Sequence, residues 1–224
     1  AVARYDDALF DRAERAGASQ LPFLDGMREL RRRREEVAAR FRAQLDLAWR
    51  SLEAGTPISA EAALASQSDG LSLVGEHELE SRLAARNLAA VLLRDCKPVL
   101  LRLDRRLGWI AGGLELDADS NPVGPEHIGV AVHEAFYTCD LAAEVRLVLF
   151  KLCEREFAAG IGKLYEAVDE RLAQAGVAPE IAAPRRPGPQ RSPVEQVPQA
   201  AQEEEEGFDP GHAPMWARRF SERW

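Results

Sequence analysis

The sequence predicts an all-α fold: an elongated multi-helix bundle with long antiparallel helices and a C-terminal tail outside it. Three observations carry that prediction. Apolar residues recur in steps of three and four through most of residues 3–175, the period of a helix packed along one side. The strongest chain breakers stand between those runs, above all Asn121-Pro122-Val123-Gly124-Pro125. Composition then turns over at residue 183, where Pro, Gln and Glu replace the periodic apolar residues.

In chain order, Tyr5, Leu9, Phe10, Ala13 and Ala16 mark a short amphipathic helix over 3–18. Phe23, Met27, Leu30, Val37, Phe41, Leu45, Ala48 and Leu52 predict one helix of about 45–50 Å at 1.5 Å per residue. It ends at Gly55-Thr56-Pro57. Residues 55–70 are small and polar and read as a linker with one helical turn over Ala60–Ala65. Leu71-Ser72-Leu73-Val74 forms an apolar staple, and Gly75 is the predicted N-cap of a helix whose first turns carry Glu76, Glu78 and Glu80. That helix runs to Ile110, with Pro98 expected to kink or divide it near Cys96, and Gly112-Gly113 ends it.

An acidic loop over Leu114–Ser120 leads into the Asn121–Pro125 elbow, and Pro125 suits the first turn of a helix through Ile128, Val132, Ala135 and Phe136. Thr138-Cys139-Asp140 is a second joint, with Asp140 as predicted N-cap of a last helix from about Leu141 to Ala175. Gly176 caps that helix and Pro179 stops it. Residues 1–182 therefore form one helical domain of about five or six helices. Residues 183–212 are expected to be a disordered linker, lacking the apolar surface that would offset their ordering entropy. Residues 213–224 form a short amphipathic motif.

Leu71–Val74 before an acidic helix start, the Asn121–Pro125 elbow, Phe150-Lys151-Leu152, Leu164-Tyr165, and Gly176-Val177 ahead of Pro179 occur in an order that resembles a known family. It is the N-terminal region of large proteobacterial proteins labelled domain of unknown function 1631, and the likeness covers roughly residues 23–182. Gly75 stands where that family's pattern suggests an acidic cap. The resemblance implies that this chain, which begins at Ala1, is an N-terminal piece, a short member or a truncated product of a longer type of protein, with its last ten residues either a motif of its own or the start of a further part. It brings no reaction and no catalytic residue. Some members carry the label thymidine phosphorylase, a chemistry for which these residues offer no support.

A net charge of −8 argues against non-specific binding to nucleic acid, which rewards clustered cations. Arg28 with Arg31-Arg32-Arg33-Arg34 is the one dense basic patch. Four consecutive residues spread around a helix, and Arg31 and Arg32 can pair with Glu35 and Glu36, so a solvated face is the plainer reading. The arginines over 102–106 read the same way. Three separated cysteines (Cys96, Cys139, Cys153) suit buried thiols in a reducing compartment. No apolar stretch reaches the ~20 residues of a membrane span, so a cytoplasmic protein is expected.

His133-Glu134 lacks the second histidine of a zinc-protease helix, because Tyr137 occupies that place. His127, His133 and Cys139 are turned away from one another on a helix, so surface or half-buried histidines are expected and no metal. Gly160-Ile161-Gly162-Lys163 lacks the strand and the spacing of a phosphate loop and reads as small residues at a close helix crossing. No cofactor and no catalytic set is predicted. The sharpest candidate is the C-terminal stripe of Trp216, Phe220 and Trp224, every fourth residue, with Arg218 and Arg219 beside it. Aromatic residues and arginine are common interface anchors, and helical spacing suits docking in a groove. The expected function is a non-enzymatic helical scaffold or regulatory adaptor, bound to an unidentified protein or to itself. The alternative is a nucleotide- or nucleic-acid-responsive regulator using the arginine faces.

Overall fold

The computed structural model describes residues 2–65 and 76–177. The chain divides into two units, Ala1–Pro184 and Arg185–Trp224, and every described element lies in the first. Among the described residues there are seven α-helices and no strand: α1 (Val2–Ala16), α2 (Leu21–Arg32), α3 (Arg34–Glu53), α4 (Ala60–Ala65), α5 (Glu76–Ile110), α6 (Pro125–Tyr137) and α7 (Ala143–Gln174), with a 3-10 turn at Gly17–Ser19. The fold is all-α, and α4 is the helical turn expected inside the 55–70 linker. The predicted staple Leu71–Val74 and the cap at Gly75 lie outside the described residues.

Three helices set the frame. The apolar stripe of α5 (Leu88, Leu92, Cys96, Val99, Leu103) meets that of α7 (Val145, Leu149, Cys153, Ile161, Tyr165), and α6 packs against α5. Leu83 lines a groove with Leu147, Gly162 faces Cys96, and Arg106 binds Asp169. Sequence numbers rise together on both helices, so α5 and α7 run parallel, in step over about 34 Å at 1.5 Å per residue. The antiparallel neighbours are α6 on α5, where Gly129 faces Ala85 and His133 meets Glu78, and α3 on α6, where Glu36 meets Thr138. Parallel neighbours need a return element between them, and α6, with a joint at either end, is that element.

Both joints are pinned by polar side chains. At the elbow, the fully buried Asn121 accepts the Val123 N–H at 3.0 Å and donates to Asp104 of α5 at 2.6 Å. The Tyr165 hydroxyl of α7 donates to the Val123 carbonyl at 2.7 Å. The elbow is therefore fastened to both long helices. At the second joint Arg146 donates to the carbonyls of Phe136 and Cys139, each at 2.8 Å, closing the end of α6. The predicted N-cap Asp140 does not cap α7. The cap residue is Ala142 without a side-chain bond, and the Asp140 N–H points instead to Glu29 at 3.5 Å.

Two further expectations change. Residues 23–52 are not one helix: the helix breaks at Arg33 (φ −101, ψ 15), between α2 and α3. No glycine or proline causes it. Arg32 and Arg33 both fold back onto the Glu29 carboxylate, at 2.6 and 2.7 Å, and Asp140 approaches the same group. Pro98, by contrast, does not divide α5, which is continuous through it. Pro98 lies on the solvent side while Cys96, Val99 and Leu100 hold the other side in the core, so the lost N–H leaves its carbonyl partner facing water.

Candidate functional site

Beside the elbow, α5 and the loop from Leu116 to Glu126 enclose a cleft of about 570 Å³. Its floor is apolar (Leu93, Leu100, Leu101, Leu116) and its rim carries Asp104, Asp117, Glu126, Arg94 and Lys97. The three carboxyls differ by environment. Burial pushes Asp104 upward, the bond from Asn121 opposes it, and Asp117 adds repulsion. Burial raises Glu126 as well, with Asp119 pushing the same way and Arg86 against. Asp117 is held low, chiefly by the Ser120 hydroxyl and then by the backbone N–H groups of the loop. The cleft offers an apolar bed with acid groups at its edge, and neither histidine nor cysteine lines it. Among the described residues no group of three or more His, Cys, Asp or Glu is placed to hold a metal ion.

The arginines read from the sequence as candidates are largely neutralised, by partners other than those expected. Arg28 pairs with Asp25 at 3.1 Å, Arg31 with Asp6 at 3.0 Å, Arg32 with Glu29, and Arg33 with both Glu29 and Glu36. Among the described residues, Arg34 alone of that run has no ion pair. Bonds from Arg32 pull the Glu29 carboxyl down, against its burial. Nor do the arginines of 102–106 form one solvated face. Arg106 is 3% exposed and binds Asp169 at 2.7 Å, while Arg102 binds the other oxygen of Asp169 at 2.6 Å. Arg106 also donates to the Val177 carbonyl. Burial alone would raise the Asp169 carboxyl, but the two guanidinium bonds hold it below its ordinary value. Sequence reading missed these hubs. The available signal was phase: Asp169 follows Ile161 and Tyr165 at four-residue steps on the stripe α7 buries, and Arg102 and Arg106 flank Leu103 and Leu107.

The histidines are neither surface nor half-buried, as expected from sequence, but 1% exposed each. Helix α6 is buried on most sides because α3, α4, α5 and α7 pack against it, and its histidines are buried with it. His127 lies against the backbone of Ile58 and Asp119, and burial lowers its pKa. His133 Nε2 stands 3.3 Å from Glu78, which also binds Arg82 at 2.8 Å. The two rings thus have separate surroundings and do not converge with Cys139. All three cysteines are buried, and burial raises their thiols, Cys153 to about 11, so none is an activated nucleophile. Of Gly160 and Gly162, neither marks a close crossing. A Cβ on Gly160 would meet nothing within 4 Å, whereas one on Gly129 would stand 2.7 Å from the Ala85 carbonyl oxygen.

Trp216, Arg218, Arg219, Phe220 and Trp224 lie outside the described residues. No described helix is long and apolar enough to cross a membrane. A family model described as "Protein of unknown function (DUF1631) N-terminal domain" matches residues 1–176, which include the elbow, Tyr165 and Gly176. Neither a curated protein nor a solved structure matches the chain.

Proposed function

The chain belongs to the DUF1631 family through its N-terminal domain, and from that premise we propose that it is a non-enzymatic helical scaffold or adaptor working through protein–protein contacts. The observation that supports this reading is how side chains are spent. Buried ionisable and polar groups such as Glu29, Asn121, Arg106 and Asp169 tie helices together. Large apolar side chains meanwhile stay on the outside: Leu79, Leu83, Leu147, Leu164 and Trp109 are 42–58% exposed. Leu83 joins two shallow grooves, of about 150 and 320 Å³, along the first half of α5. Apolar surface kept outside while polar groups are used inside suits a chain whose work is contact.

In this reading the segment with Trp216, Phe220 and Trp224 serves as a docking element, with Arg218 and Arg219 supplying charge. A pull-down with the full chain at physiological salt is expected to retain a specific partner that the W216A/F220A/W224A variant loses. Identical recoveries for the two chains would overturn the docking role. The arginine-based reading as a nucleic-acid-responsive regulator is less well supported, because Arg28, Arg31, Arg32, Arg33, Arg102 and Arg106 are already paired.

A further inference from the structure

Where α3 lies over α6 and α7, a groove of about 280 Å³ opens beside the core. Its floor is apolar: Val37 and Phe41 from α3, Val132 and Phe136 from α6, Phe157 from α7, with Phe41 and Phe157 stacked at 6.1 Å. The Tyr5 hydroxyl at its edge is turned onto Cys153 Sγ at 3.6 Å. One rim of the groove is Arg34, Ala38 and Arg42, successive residues along one side of α3. Both arginines are exposed, and neither has an ion pair among the described residues. No carboxylate lines the groove, in a chain whose net charge is −8. Two exposed cations beside an apolar groove with no carboxylate in its lining thus give this surface a charge opposite to the chain's net charge.

We infer that this groove receives a short acidic amphipathic helix from a partner protein, its apolar face on Phe41 and Phe157 and two of its carboxylates on Arg34 and Arg42. This rests on the adaptor reading and names the chemistry of a partner for it. The spacing selects a helix over a single-headed amphiphile. Eight residues of α3 separate the two guanidinium stems by about 12 Å, more than one carboxylate can bridge. Acidic residues seven positions apart on a helix lie on one face about 10 Å apart, with apolar residues three and four positions along between them. Helix-in-groove recognition uses such anchors, and complementary charge fixes their register.

The probe is a capped, fluorescein-labelled, alanine-based helical peptide with glutamates seven positions apart and Leu-Phe midway between them, titrated against the full chain by anisotropy. Saturable binding is expected, weakened at least tenfold by R34E/R42E and unchanged by R50E, which reverses an exposed charge of α3 outside the groove. A peptide with both glutamates replaced by lysine is expected to bind the R34E/R42E chain and not the wild type. If R34E/R42E lowers the melting temperature, R34Q/R42Q replaces it and the tenfold loss must persist. Three results would each overturn the proposal: no saturable binding, binding indifferent to charge reversal, or decanoate competing in a way that needs only one arginine. The adaptor reading fails separately, if the full chain retains no specific partner in the pull-down, so the two failures are distinguishable.

Discussion

Gly129 holds the closest approach of α6 to α5 among the described glycines. A methyl group there would press on the Ala85 carbonyl oxygen at 2.7 Å and touch Ala89, both on α5. Backbone cannot turn aside as a side chain can. Gly129→Ala is expected to cost roughly 1–3 kcal/mol despite alanine's better helix propensity. Gly160 is the opposite case, exposed and facing open space, so Gly160→Ala should gain roughly 0.5–1 kcal/mol. Urea melts of the two variants should move in opposite directions. Asp169 is the third such position. Asp169→Asn leaves the buried Arg106 without its counter-charge, and an uncompensated buried partner costs about 3 kcal/mol. Because the Asp169 and Glu29 carboxyls are depressed in the folded chain, their contribution is complete above the unfolded value of about 4. It is lost as pH falls through the lower folded value, so an acid melt should show a steeper loss for wild type than for Asp169→Asn. Asp104 has the reverse sign: its carboxyl is raised, and ionising it costs stability as pH rises past the unfolded value. Asp104→Asn, which can still accept from Asn121, should be at least as stable at neutral pH.

At the scale of elements, legibility followed from what local chemistry can announce. The elbow, the start of α6 at Pro125, and the ends at Gly112-Gly113 and Gly176 were readable because proline and positive-φ glycine act on their own backbone (Gly112 φ 83, Gly176 φ 76). The break at Arg33 was not readable, because no glycine, proline or capping residue marks it; what stands there is Glu29, which gathers Arg32 and Arg33 from its own helix and the Asp140 N–H from far along the chain. The start of α7 was misplaced for the same reason. Arg146 reaches back to close α6, and no rule of sequence spacing anticipates a side chain serving the preceding helix. Arg146→Leu should therefore act on α6 rather than on α7. It frees the Phe136 and Cys139 carbonyls and should cost about 1–2 kcal/mol, with amide exchange rising first in the last turn of α6.

For the whole molecule, sequence periodicity established that the unit is built of helices but not which way its longest pair runs. Period describes one helix at a time, whereas direction depends on the joints between them. The candidate sites divide in the same manner. The basic patch was visible as a run of arginines, yet its content changed once Arg28, Arg31, Arg32 and Arg33 were paired and Arg34 was left with Arg42 beside an apolar groove. The aromatic motif at Trp216–Trp224 stands as a proposal of its own. Deleting residues 213–224 should leave the melting temperature of the helical unit unchanged if the motif serves a partner, and a drop of several degrees would overturn that role. The parallel run of α5 and α7 has an electrical consequence as well. Each helix carries about half a positive charge at its first turn and half a negative charge at its last, and in neighbours running opposite ways these cancel. In α5 and α7, helices of 35 and 32 residues, they add, and the 13 residues of α6 offset only a part. The backbone dipoles of the long-helix pair thus add along its axis, and Glu144 in the first turn of α7 and Arg171 in its last carry the charges that offset them.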